Sequence, residues 1–162
     1  MSDFFARLTG SLTAFFSNPI IISALASWFV CQFIKGIIAI LQVQKKGLRE
    51  VLETVFWRTG GMPSSHAAVV TSMTVAVAFH EGIGSNLFAV SLVIAMVVMR
   101  DAMGVRRSVG LQASSLNLLG RHSSERLGLE FSPLKEIRGH APLEVVVGSL
   151  LGLIISAVFA LI

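Results

Sequence analysis

The sequence predicts an all-α fold: an integral membrane helical bundle with about four transmembrane helices plus an N-terminal interfacial helix. Three observations carry this. Of 162 residues, 54% are hydrophobic and only 14% are charged, whereas soluble domains carry roughly a quarter charged residues. The apolar residues gather into four long runs, each near the ~20 residues that cross ~30 Å of hydrocarbon. No period-two alternation of the β-barrel kind is present, so the spans must satisfy their own backbone hydrogen bonds as helices.

Taken in order, residues 1–18 read "MSDFFARLTGSLTAFFSN". Mixed charges and an apolar stretch broken by Arg7, Thr9 and Gly10 make a poor secretory signal. They make a better amphipathic helix lying in the interface. Spans are expected near 19–43, 63–80, 83–103 and 142–162, all within one domain covering 1–162. The second and third are slightly short, and must extend into flanking polar residues or sit in a thinned bilayer.

Cations concentrate in two stretches. Residues 44–61 carry Lys45, Lys46, Arg49 and Arg58, and residues 104–141 carry Arg106, Arg107, Arg121, Arg126, Lys135 and Arg138. The link "HEGIGSN" has no lysine or arginine. The positive-inside rule therefore places both basic stretches in the cytoplasm and both termini outside.

A formal net charge of +4 suits anionic headgroups or anionic substrates. No nucleic-acid-binding motif is visible and aromatic residues do not interleave with the basic ones, so no nucleic-acid partner is expected. A single cysteine, Cys31, rules out a disulfide within the chain and reads as a small hydrophobe.

This topology brings three polar clusters to one membrane face: "MPSSH" before the second span, "RDAMGVRR" after the third and "GHAPLE" before the fourth. Pro63 suits the first turn of a helix. The free N–H groups that follow, with the hydroxyls of Ser64 and Ser65, make an anion site, and His66 can deliver a proton. Pro142 marks a second helix start. Glu144, four residues after His140, can fix that imidazole's tautomer and raise the basicity of its other nitrogen. Arg100, Arg106 and Arg107 suit bidentate recognition of phosphate, with Asp101 able to pair with one of them.

Plainer roles suit the same residues: a serine helix cap, an acidic first turn, and a basic collar on anionic lipid. Gly148 and Gly152 read as a small-residue packing pair. Lys35, inside the first span, is expected to snorkel. Gln112 and Asn117 suit the arginine face or solvent, and His80 and His122 receive no role. His66 and His140 are expected within roughly 10 Å of each other, flanked by at least one of the three arginines.

With these residues in hand, the pattern resembles the type 2 phosphatidic acid phosphatase and vanadium haloperoxidase superfamily. "PSSH" at 63–66 is similar to its Pro-Ser-Gly-His motif, and "HAPLEVVVGSLLG" from His140 to the end of its third motif, with Glu144 for aspartate. GGMPSSH, DAMGVRR and GHAPLEVVVGSLLG together resemble the small divergent bacterial and plastid branch. The superfamily's Ser-Arg and Lys…Arg-Pro elements are missing. The resemblance therefore leaves the phosphate clamp to Lys45, Lys46, Arg58, Arg100, Arg106, Arg107, Lys135 and Arg138.

The resemblance implies a lipid-phosphate phosphatase of a bacterial inner membrane or a plastid membrane, its site facing the cytoplasm. His140 attacks phosphorus, Glu144 orients it, His66 protonates the leaving alkoxide, and Ser64 and Ser65 hold phosphate oxygens, with no metal or other cofactor. Phosphatidic acid, phosphatidylglycerophosphate and an isoprenyl phosphate or diphosphate are the candidate substrates. The alternative is a non-catalytic relative that binds anionic headgroups or a partner protein. A transporter of phosphorylated lipid fits less well, because few polar residues lie at mid-span. A homo-oligomer or an added helix pair is one way to complete the enclosure.

Overall fold

Asn18 starts the first long helix. Its side-chain oxygen accepts the Ile20 N–H at 2.9 Å, which caps the orphan donors of a helix start. The computed structural model describes residues 1–42, 61–136 and 139–161. Its helices are α1 (Ser2–Phe16), α2 (Pro19–Gln42), α3 (Ser65–Glu81), α4 (Asn86–Met103), α5 (Val105–Leu127) and α6 (Pro142–Leu161). No strand occurs among the described residues. Ser64 and Ser85 cap α3 and α4 with their hydroxyls, and Gly128 ends α5 in the left-handed conformation, at φ 66°.

Burial is inverted relative to a soluble protein. The interior faces are built from small residues: Ser23, Ser27 and Cys31 on α2, Ala68, Ser72 and Ala76 on α3, Ser91 and Ala95 on α4, Gly148, Gly152 and Ser156 on α6. The large side chains, such as Phe29, Phe33, Ile40, Val93, Val97, Leu150 and Ile154, point outward. Lipid tails are as apolar as leucine, so large residues gain nothing by turning inward. Small ones let backbones approach.

α3 lies at the centre, packed against α2, α4 and α6. Its 17 residues rise only ~25 Å. Among the described residues three helical segments are long and apolar enough to cross a membrane: Pro19–Leu41, Asn86–Leu127 and Pro142–Leu161. The sequence expectation of about four spans thus becomes three lipid-facing ones around a shorter fourth helix. That helix can carry Ser65, Ser72 and Thr74 buried because protein rather than lipid surrounds it.

α1 presents Phe4, Phe5, Leu8, Leu12, Phe15 and Phe16 outward and touches only α2 among the described helices. The basic stretch after the third span, read from sequence only as a basic cytoplasmic stretch, contains the 23 residues of α5. Its periodicity is hidden because its buried positions are Gly110, Ala113 and Asn117 rather than large apolar residues. Among the described helices α5 touches α4 alone. Its inner face is met by Phe131, Leu134 and Gly139, which lie between α5 and α6 in the chain.

Candidate active site

The start of α3 and the start of α6 are locked together by backbone. A Cβ on Gly148 would collide with the Ser64 carbonyl, and one on Gly152 with the Ala68 carbonyl. Both glycines are therefore needed for α6 to lie directly on α3. At this spacing the Ser64 N–H donates to the Glu144 carbonyl at 2.9 Å. Just upstream, Gly61 has φ +91°, a conformation that side chains disfavour, as the chain turns into Pro63.

His140 is buried, at 4% exposure. Its backbone N–H donates to the Ala102 carbonyl at 3.0 Å, at the end of α4. Its Nδ1 lies 2.7 Å from Glu144 Oε2. With the proton on Nδ1 directed to the carboxylate, Nε2 keeps its lone pair. The His66 ring stands with its centroid 6.0 Å from that of His140, at 62°. His66 Nδ1 is buried and has no hydrogen-bond partner among the described residues. Two imidazoles, one in the first turn of α3 and one just before α6, thus meet edge-on at one end of the bundle.

Three charged groups lie near His66. Arg106, Lys35 and Asp101 all lie within electrostatic range of His66. Arg106 Nε is also 3.4 Å from Asp101 Oδ2. Lys35 corrects the sequence expectation. It does not snorkel: its Nζ donates to Ser65 Oγ at 3.3 Å and it lies within electrostatic range of Glu144. The reason is its helical face. Ser23, Ser27, Cys31, Lys35 and Ala39 recur every four residues along α2, which is one stripe of a helix. All but Lys35 are buried small residues. That stripe was the available signal, and it brings a cation to the site that motif reading missed.

The other expected residues divide. Ser64 spends its N–H on Glu144 and accepts the Ala67 N–H at 3.4 Å, so its hydroxyl proton is what it can offer an oxyanion. Ser65 presents its hydroxyl beside Lys35. Arg107 is exposed but lines, with Ser114, Glu136, Gly139 and His140, a cavity of about 480 Å³ between α5 and the segment before α6. Arg100 and Lys135 are exposed and form no ion pair among the described residues. Arg58 and Arg138, with Lys45 and Lys46, lie outside the described residues. Asn117 does not line the arginine face; it is buried against Leu134 and Glu136. Gln112 is exposed, as are His80 and His122.

Chemically, the arrangement offers an imidazole backed by a carboxylate, a second imidazole beside it, and a lysine paired with a serine hydroxyl. A family profile described as the Divergent PAP2 family matches residues 16–155. The "Uncharacterized membrane protein YuiD" of Bacillus subtilis (strain 168) is 38% identical over 155 residues, covering 89% of this chain and 95% of that protein. No solved structure matches the chain.

Proposed function

The chain belongs to the Divergent PAP2 family, and from that premise we propose that it is a membrane lipid-phosphate phosphatase acting through a phosphohistidine on His140. The observation that carries the reading is the buried His140–Glu144 pair, 2.7 Å between Nδ1 and Oε2, facing His66. A histidine that only filled a core would need neither a carboxylate behind it nor a second imidazole in front.

The steps follow from the positions. The Nε2 lone pair of His140 forms the N–P bond as the P–O bond to the lipid alcohol breaks. His66 gives its proton to the leaving oxygen. Water then attacks phosphorus and loses its proton to His66. The N–P bond breaks, inorganic phosphate leaves, and both imidazoles are restored. Lys35, Arg106 and the hydroxyls of Ser64 and Ser65 neutralise the equatorial oxygens, where charge stabilisation and positioning dominate such transfers. Lys35 supplies a cation in a chain that lacks the superfamily's Ser-Arg and Lys…Arg-Pro elements. The positive-inside rule supports a cytoplasmic orientation for this end of the bundle, on the side where the phosphomonoesters of phospholipid synthesis are made.

Release of inorganic phosphate from phosphatidic acid, phosphatidylglycerophosphate and isoprenyl phosphates by the purified protein, with His140→Ala as control, is the test. Turnover abolished by His140→Ala supports the proposal. Binding of these lipids without turnover would instead support an anion-binding relative.

A further inference from the structure

His140 arrives at the site on a segment without secondary structure. Residues 129–136 run back along α5, and Gly139 and His140 precede α6. Tethers hold this strap to α5 and α4. The Phe131 ring sits against Gly120 so closely that any Cβ there would collide with it. Gly139 lies against the Arg107 backbone, where a Cβ would come within 2.7 Å of the nitrogen. The His140 N–H donates to Ala102.

Between these lies Asn117, 3% exposed. Its Oδ1 accepts the Leu134 N–H at 2.7 Å, and its Nδ2 donates to the Leu134 carbonyl and to Glu136 Oε1, each at 2.9 Å. The amide thus pairs with both backbone groups of one residue, as a neighbouring strand would. Deleting it removes both bonds that hold the Leu134 backbone to α5; Leu134 is exposed, so its backbone groups can turn to water and the strap is free to slide or lift.

We infer that Asn117 is a positioning residue: by clamping Leu134 to α5 it sets the approach of the strap and so the placement of His140 against Glu144 and His66. The inference rests on the proposed use of His140 as nucleophile. Nothing about Asn117 itself touches the site, so its effect is on geometry alone. Misplacement by about 1 Å of a reacting group costs on the order of 10²-fold in rate.

Asn117→Ala is therefore expected to lower kcat by about 10²-fold while KM stays within about threefold. Glu136→Gln in an Asn117→Asp background, where the amide now on residue 136 can donate to the carboxylate, is expected to recover part of the rate that Asn117→Asp alone loses. A second readout needs no turnover. Acylation of His140 by diethyl pyrocarbonate, located by peptide mass spectrometry, is expected to accelerate several-fold in Asn117→Ala, because the buried ring is released. Asn117→Ser, which keeps one hydroxyl, is expected between the two and is read if the alanine variant does not accumulate. Wild-type kcat with wild-type His140 reactivity would overturn the inference, as would a raised KM with unchanged kcat. If the wild-type protein hydrolyses no lipid phosphate, the proposed function fails and the acylation rate alone decides the role of Asn117.

Discussion

Gly148→Ala is the sharpest perturbation, because it adds one methyl group at the seam that builds the site. The new Cβ would lie well under 3.0 Å from the Ser64 carbonyl oxygen and 3.1 Å from the Ser64 nitrogen. Both partners are backbone, so no side chain can swing aside. The helices must separate by on the order of 1 Å to reach ordinary contact, and overpacking of this kind costs ~1–3 kcal/mol. The same movement lengthens the 2.9 Å bond from the Ser64 N–H to the Glu144 carbonyl and carries the His140–Glu144 pair away from His66. A ~1 Å displacement predicts about a 10²-fold loss of turnover, although Gly148 touches no substrate. Thermal unfolding in detergent and phosphate release are measured on the same preparation. Gly152→Ala, which meets the Ala68 carbonyl one turn deeper, is expected to behave alike. Gly10→Ala, with nothing within 4 Å of its Cβ, is the control and should change neither. Wild-type melting and wild-type turnover in Gly148→Ala would refute the close α3–α6 seam as the frame of the site.

Lys35→Met is expected to lower kcat/KM by about 10²–10³-fold, the usual cost of removing one preorganised donor, while leaving thermal stability equal or higher because a charge leaves the packed face of α2. Lys35→Arg is expected to recover part of the rate; a silent Lys35→Met in steady-state assays would return the residue to a structural part. Glu144→Gln should lower kcat on the order of 10²-fold or more with little change in KM, since tautomer control is lost while the phosphate clamp stays; an unchanged rate would leave Glu144 as a residue that only complements the helix dipole. With Cys31 replaced, single cysteines at Ser85 and Ser124 report orientation: an impermeant thiol reagent on intact cells should label position 85 and spare position 124. The reverse pattern would turn the site outward and favour isoprenyl phosphates of the outer face.

Hydropathy alone was enough to specify helices in a bilayer, because unpaired backbone in hydrocarbon is so costly that few alternatives exist. Local spacing was enough for His140 and Glu144. Four residues across a helix start bring an imidazole to a carboxylate whatever surrounds them, and the 2.7 Å contact reflects that. The small-residue pair Gly148 and Gly152 was legible for the same reason. What the one-dimensional pattern could not carry was the rotation of each helix about its axis. In a soluble protein, apolar residues mark the inner face; in lipid both faces are apolar, and only the sparse stripe from Ser23 to Ala39 betrays which side of α2 is inward. Lys35 therefore read as a residue escaping to the interface until packing against α3 placed it beside Ser65 at 3.3 Å. α5 and its strap were hidden for a related reason. Their contact is made by glycines, one phenylalanine, the Ser124 hydroxyl and the Asn117 amide, which bury little apolar surface and leave no periodic trace. Whether Asn117 meets water or the backbone of Leu134 is decided by chain segments 17 residues apart, and only the tertiary structure brings those together.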